Sequence, residues 1–147
     1  MSDVVPHPEF RAKVRASFVK QGLMKALGGK LMLVDPGHVQ IELPYSDSVT
    51  QQHGYFHAAA VAAIADNAGG YAALTLMRPD EEVVAAEFKV NLLRPAIGAR
   101  IVADGTVVRA GRSLVVSQVT VSAFADATPV AVAVMLQTNF RISAVAE

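Results

Sequence analysis

The sequence predicts an α+β fold in which a curved antiparallel sheet wraps around one long central helix. The segment from His57 to Met77 lacks a polar face, which is typical of a helix enclosed by other structure. The four segments after it alternate apolar and polar residues with a period of two, which indicates long strands. The two short strands before the helix are too few to cover it, so the later strands are expected to complete the wrapping.

The N-terminal part of the chain is predicted to form a helix followed by a hairpin. Apolar residues recur every fourth position from about Pro8 to Leu27, and Gly28-Gly29 is expected to end this helix. Two stripes carry the pattern, namely Phe10, Val14 and Phe18 and, beside them, Val19, Leu23 and Leu27. Strands over Lys30 to Val34 and His38 to Leu43 follow, because the turn Asp35-Pro36-Gly37 separates two short apolar runs.

The second half of the chain is predicted to form four strands, over Val83 to Leu93, Arg100 to Ala110, Ser113 to Ala125 and Val130 to Arg141. Short turns join them, so consecutive strands are expected to be antiparallel neighbours. On the last strand one face is expected to carry the apolar set Val130, Val132, Val134, Leu136 and Phe140. Residues 1–147 are predicted to form one domain, with 1–29 as an N-terminal extension and helix and 30–142 as the core.

Composition excludes several classes of protein. The chain has 147 residues, of which 52% are hydrophobic, which excludes a disordered chain and favours an oligomer that buries further apolar area. The formal net charge of zero gives no reason to expect nucleic acid as a partner. Basic residues between Arg11 and Lys30 are interpreted as a solvated helix face, and no membrane partner is expected. Without cysteines or a signal-peptide pattern, the chain is predicted to be cytoplasmic.

Asp66 is the strongest candidate for a catalytic group. The residues three and four positions away from it are small, namely Ala62, Ala63, Gly69 and Gly70, so a backbone or a slender ligand can approach closely. Burying a carboxylate is costly, so Asp66 needs hydrogen-bond partners or a wet cleft. One alternative is that Asp66 only bonds a nearby backbone group, and Asn67 is equally consistent with a packing or interface amide.

A second candidate lies at the start of the central helix, after a polar loop over Pro44 to Tyr55. His57 and Ala58 fall in the first helical turn, where free backbone N–H groups favour a developing negative charge. His57 is also consistent with a simple capping role, and Gly54 gives the loop freedom to turn. Along a helix, Asp66 lies about 13.5 Å from His57, so the two can share one substrate only if they come from two chains. A homodimer with two symmetric sites is therefore predicted.

Two segments carry a resemblance to a known family. They read HGYFHAAAVAAIADNAGGYAA and FKVNLLRPAIGARIVADGTVVRAGRSLVVSQVTV. Both resemble the PaaI-type hotdog thioesterases, with the helix motif ending in Asp66 and with the LRPA and GR turns at the family's distances. The resemblance spans about Val39 to Arg141. It implies the hotdog fold, an acyl-CoA substrate hydrolysed to a free acid and CoA, and a dimer that assembles into a dimer of dimers.

The resemblance also implies roles for individual residues. Asp66 would be the general base or nucleophile, and the Ala58 N–H of the other subunit would polarise the thioester carbonyl. Gln51 would position the water or the thioester, and His57 would orient the loop. Further residues would bind substrate, namely Gly54, Asn67, Arg94, Arg112 and Ser113, with the last three near the CoA phosphates and pantetheine. The chain departs from the family where Ala58 and Ala59 replace glycines and where Ala85 replaces a Ser or Thr.

CoA is part of the substrate in this hypothesis, and no separate cofactor is expected. No metal is expected either, because His7, His38, His53 and His57 lack the spacing of a zinc site. Two other functions stay open at the level of sequence. One is a hotdog hydratase or dehydratase, whose motifs are not seen, and the other is a non-enzymatic acyl-CoA binding module with a structural Asp66. Turnover of enoyl-CoA or binding without thiol release would identify them.

Overall fold

The computed structural model describes residues 5–144. Its helices are α1 (Phe10–Phe18), α2 (Gly22–Leu27) and α3 (Ala58–Leu74), with a single 3-10 turn over Asp47–Val49. Its strands are β1 (Lys30–Asp35), β2 (His38–Pro44), β3 (Glu81–Leu92), β4 (Arg100–Ala110), β5 (Leu114–Phe124) and β6 (Pro129–Ser143). The six strands form one antiparallel sheet that wraps around α3, which is the predicted hotdog arrangement.

The N-terminal helix is two helices and not the single one predicted. The chain leaves α1 at Val19, and Gln21, in an extended conformation, begins α2. Of the second apolar stripe only Leu27 packs against the core, since Val19 is 75% exposed and Leu23 is 55% exposed, whereas Met24 is buried. The break lets α2 turn a different face inward from the one that a straight helix would present. Gly28 does end α2, with a left-handed φ of 83°.

The strand order is β1-β2-β4-β5-β6-β3, so the prediction that β3 and β4 are neighbours is wrong. β3 pairs with β6 at the far edge of the sheet, and β4 lies between β2 and β5. The connection over residues 93–99 contains Pro95 and binds backbone groups elsewhere, with the Phe56 N–H donating to the Ala96 carbonyl over 3.1 Å. This segment therefore crosses the end of the sheet beside the start of α3 and does not form a hairpin.

Helix α3 lies directly against the sheet because small residues remove the usual side-chain spacing. A Cβ at Gly105 of β4 would lie 2.6 Å from the Ala68 carbonyl carbon and 2.9 Å from the Gly69 nitrogen. Backbone therefore packs on backbone at this crossing, which requires glycine at position 105 of the strand. Most of α3 is buried, as its lack of a polar face predicts. None of the helices within residues 5–144 is long and apolar enough to cross a membrane.

The predicted apolar face of β6 is wrong for the second half of the strand. The pairing between β5 and β6 slips at Val121 and Ser122, which inserts a bulge at Val132. Beyond the bulge the alternation is reversed, and the side chains turned towards α3 are Ala133, Met135, Gln137 and Asn139. Leu136 and Phe140 lie on the outer face and are 53% and 47% exposed. The bulge therefore places two amide side chains in the core beside α3.

Candidate active site

Asp66 lies halfway along α3 on a cavity of about 180 Å³. The cavity is bounded by α3, by α1 and Gln21 in the turn after it, and by β3 and β6. The Nε2 atom of Gln137 donates a hydrogen bond to Asp66 Oδ1 over 2.5 Å and another to the Asp66 carbonyl over 3.2 Å. The carboxylate therefore has a polar partner on one side and reaches a cavity on the other. That placement is what a catalytic carboxylate needs.

The environment of Asp66 changes its acidity. Burial raises the pKa of the Asp66 carboxyl above its usual range, and the Gln137 hydrogen bond opposes part of this shift. A carboxylate with a raised pKa is a stronger base than one in water. Asp66 is therefore suited to draw a proton from a water molecule.

Gln137 was not predicted from the sequence, and it reaches Asp66 because Gly69 makes room for it. A Cβ at Gly69 would overlap Gln137 Oε1 and would lie 3.1 Å from Val119. The sequence does indicate that these amides are unusual, since Gln137 and Asn139 stand two positions apart in a largely apolar strand. That spacing places them on one face, but only the bulge shows that this face is turned inward.

Asn67 lines the same cavity as Asp66. Its Nδ2 atom donates to the Ala63 carbonyl one turn earlier over 3.1 Å, and among residues 5–144 its Oδ1 atom has no hydrogen-bond partner. Half of this amide thus stabilises the helix, which agrees with the packing alternative.

The second group of predicted residues lies at the N-terminal end of α3. Four of them line one groove of about 420 Å³, namely Gln51, His57, Ala58 and Arg94. His57 is the N-cap of α3, and its Nδ1 atom accepts a hydrogen bond from the Ala59 N–H over 2.9 Å. The capping alternative for His57 is therefore correct, and in this role the ring holds the loop against the helix.

The Ala58 N–H is available at this groove. The adjacent N–H of Ala59 is occupied by His57, whereas no acceptor for the Ala58 N–H is found within the described part of the chain. It lies at the positive end of the α3 dipole, where it can bind a negative oxygen. Gln51 turns its side chain into its own loop and accepts the His53 N–H. Gly54, with a φ of 78°, allows this turn but lines a different pocket, beside Tyr45.

The structure thus divides the predicted site between the N-terminal end and the middle of one helix. Asp66 and Asn67 line one cavity, whereas Ala58 and Arg94 line another, and the two cavities have no lining residue in common. Within one chain these residues do not face a common substrate.

Arg112 and Ser113 lie in neither cavity. Arg112 lines a third pocket, of about 520 Å³, beside Arg78 and Arg141. Arg141 is engaged there, pairing with Glu81 over 3.0 Å, while its backbone N–H donates to the Ser113 carbonyl. Their roles in CoA binding stay predictions. No cluster of His, Asp and Glu side chains suited to a metal ion occurs within the described range.

Comparison with known proteins identifies the family. The family model of the thioesterase superfamily matches residues 53–130, a range that includes both Ala58 and Asp66. The chain belongs to the thioesterase superfamily. It is also similar to a thioesterase family protein from Silicibacter pomeroyi, with 41% identity and a TM-score of 0.90. That match covers 92% of this chain and 99% of the other.

Two more distant relatives agree with this family. The PaaI protein of the E. coli phenylacetic acid degradation operon has the same fold, with a TM-score of 0.82 and 20% identity over 92% of this chain and 94% of that one. A 1,4-dihydroxy-2-naphthoyl-CoA hydrolase from Listeria monocytogenes is 25% identical over 69% of this chain and 82% of its own length. The resemblance to PaaI-type hotdog thioesterases is confirmed in family and fold. This superfamily member is a thioester hydrolase, and the hydratase and binding-module alternatives are set aside.

Proposed function

We propose that this thioesterase hydrolyses acyl-CoA at two equivalent sites, each formed by Asp66 of one chain and the Ala58 N–H of another. The observation that carries the proposal is the division of the site between the N-terminal end and the middle of α3, which line separate cavities. A carboxylate with a raised pKa lies at one position and a free helix N–H at the other. Neither group alone meets the needs of acyl transfer, which uses a base and a site for the oxyanion.

The edge strand β3 supplies the geometry for joining the two halves. The Asp66 cavity borders the start of β3 at Val83 and Ala85, whereas the Ala58 groove borders its end at Leu92 and the adjoining Leu93. Two copies that pair their β3 edges antiparallel about a two-fold axis near Phe88 bring the start of one strand beside the end of the other. Each Asp66 cavity then adjoins the partner's Ala58 groove.

Exposure along β3 supports this pairing. Phe88 and Leu92 point to the same side of the sheet as α3, yet they are 44% and 55% exposed. Long, apolar edge strands are rarely left unpaired in natural proteins. A second copy would cover these side chains and continue the hydrogen bonding of the sheet, forming an isologous dimer.

In the proposed reaction the acyl carbonyl oxygen accepts the Ala58 N–H, which stabilises the negative charge that develops there. Asp66 takes a proton from water, and the resulting hydroxide adds to the carbonyl carbon. The tetrahedral intermediate then breaks its C–S bond and releases the CoA thiolate, which takes the proton from Asp66 and restores the carboxylate. Direct attack by Asp66 uses the same geometry through an acyl-enzyme anhydride. Single turnover in ¹⁸O-labelled water distinguishes the routes, because only direct attack can leave the label in Asp66.

Turnover itself is tested by thiol release over a panel of acyl-CoA esters, with enoyl-CoA included to detect hydration. Release of CoA with the matching free acid is the expected result. A failure to release thiol from every ester of the panel would contradict the proposed function.

The shared site is tested by mixing two inactive variants. In a heterodimer of Asp66→Asn and Ala58→Pro chains, one site carries both defects and the other carries none. Heterodimers isolated through two different affinity tags should regain about half of the wild-type kcat, since one of two sites is intact. If Asp66 and Ala58 acted within one chain, every site would keep one defect and the heterodimer would stay as inactive as its parents.

Arg94 is proposed to bind the CoA phosphates, because it lies in the groove that holds the Ala58 N–H. Arg94→Ala should raise KM for acyl-CoA about tenfold and leave kcat almost unchanged, since the phosphates lie far from the carbonyl. The same variant should show no change with an acyl-pantetheine, which lacks the nucleotide. The same two KM measurements on Arg112→Ala test whether Arg112 binds the phosphates. Equal changes with both thioesters would show that Arg94 does not bind the phosphates.

Assembly beyond the dimer is supported by the outer face of the sheet. Val84, Phe140 and Leu114 form one row across β3, β6 and β5, and all three side chains are exposed. A row of this kind favours back-to-back packing of two dimers. We therefore propose a dimer of dimers. The cytoplasmic location stays a prediction from the sequence.

A further inference from the structure

We infer that Gln137 is a positioning residue for the hydrolysis, because its amide N–H groups hold one oxygen of the Asp66 carboxylate and leave the other oxygen for the reaction. This role rests on the proposed function and deepens it, since Gln137 acts through the base. The contacts that carry it are those that Gln137 makes between β6 and α3.

The amide nitrogen of Gln137 contacts Asp66 twice. Its Nε2 atom donates to Oδ1 over 2.5 Å and to the backbone carbonyl of the same residue over 3.2 Å, so both of its N–H groups are used. The carbonyl is part of the α3 backbone, and the Gln137 side chain is fully buried in the core. A rotation of the Asp66 side chain would break the shorter bond, so Gln137 holds the carboxylate in one rotamer.

This arrangement makes the two oxygens of the Asp66 carboxylate different. Oδ1 is bonded to the sheet, whereas Oδ2 has no hydrogen-bond partner within residues 5–144. Asp66 is partly exposed on its cavity, so Oδ2 is the oxygen that can take a proton from water or attack the carbonyl carbon. Fixing this oxygen matters, because a misplacement of about 1 Å can lower a rate by about 10²-fold.

The same hydrogen bond favours the ionised form of Asp66. Burial raises the pKa of this carboxyl, and the Gln137 bond opposes the shift. The other ionisable side chains on the cavity are Tyr71 of α3, whose pKa burial also raises, and Glu82 of β3, which pairs with Lys13 of α1 over 3.5 Å. Within residues 5–144 no cation lines the cavity, so Gln137 is the group there that stabilises the charged carboxylate.

Gln137→Met tests this role, because methionine keeps the length of the side chain and removes both N–H groups. The measurement is the pH dependence of kcat/KM for thiol release, whose acid limb reports the ionisation of the base. A hydrogen bond to a charged group favours that form about tenfold or more, so the limb should move to higher pH by about one unit. Above the limb, kcat should stay about tenfold below the wild type, because the carboxylate is no longer held.

Ser117→Ala is the matched control for a loss of stability. Ser117 is also fully buried, on the neighbouring strand β5, and its hydroxyl donates to the Gly69 carbonyl of α3 over 2.9 Å. It does not line the Asp66 cavity. This variant should melt at a lower temperature, but its acid limb should match that of the wild type. A limb that moves equally in both variants, or in neither, would overturn the role of Gln137.

A measurement on the wild-type protein requires neither turnover nor a folded Gln137 variant. The carboxyl ¹³C resonance of Asp66, identified by its loss in Asp66→Asn, and the side-chain amide ¹H resonances of Gln137 should titrate with one midpoint, because the amide donates to the carboxylate. Amide resonances that do not respond to this titration would overturn the inference but leave the hydrolase intact. Absence of thiol release from every ester, with the midpoint still shared, would contradict the proposed function itself.

Discussion

Replacing Asp66 by asparagine is expected to lower kcat by about 10²–10⁴-fold, the usual contribution of a general base. Asparagine keeps the size of the side chain and an oxygen that can still accept the Gln137 hydrogen bond, so the cavity should keep its shape. It removes the negative charge and the basic lone pair on which the reaction depends. Binding of acyl-CoA should persist, and the variant should therefore trap an intact enzyme–substrate complex.

Thermal stability separates this expectation from a purely structural Asp66. Because burial raises the folded-state pKa of Asp66, the stability that its carboxyl contributes is fully present below the unfolded pKa, about 3.9, and is lost as the pH rises through the folded pKa. Above that window Asp66→Asn should melt no lower than the wild type. A variant with near-normal turnover and a lower melting temperature would show that Asp66 only supports the fold.

Replacing Ala58 by proline is expected to remove the oxyanion donor and little else. Ala58 is the first residue of α3, a position where proline is well tolerated because its missing N–H has no partner within the helix. The preceding residue, His57, is extended, with φ −65° and ψ 138°, as a residue before proline must be. Loss of one oxyanion donor should lower kcat by about 10²–10³-fold.

Ala58→Gly is the matched control for this variant, since it changes the side chain and retains the N–H. It should keep kcat within about tenfold of the wild type, while its circular dichroism and that of Ala58→Pro should match the native spectrum. If both substitutions lowered kcat equally, the side chain would be the important feature and the N–H would have no role. If Ala58→Pro were as active as the wild type, the Ala58 N–H would not be the oxyanion donor.

The sequence alone predicted much of this molecule because the relevant signals are local. The unbroken apolar character of α3 required an enclosing sheet, and the small residues around Asp66 required a close approach, which Gly105 and Gln137 provide. The distance from His57 to Asp66 follows from helix geometry, so the sequence alone predicts that these two residues cannot face one substrate within a single chain. These inferences need only the period of a helix and the cost of burying a charge.

Tertiary structure decided what depends on pairing between distant segments. The position of β3 at the sheet edge, away from β4, follows from its hydrogen bonds to β6, which no short turn specifies. The bulge at Val132 reverses the alternation of β6, so Gln137 and Asn139 line the cavity and Leu136 lies outside. A side-chain period of two cannot show which face is inside, because a shift of one residue exchanges the two faces. The sequence by itself predicted the fold class, the candidate carboxylate Asp66 and a site shared by two chains, whereas strand register determined which side chains line the Asp66 cavity.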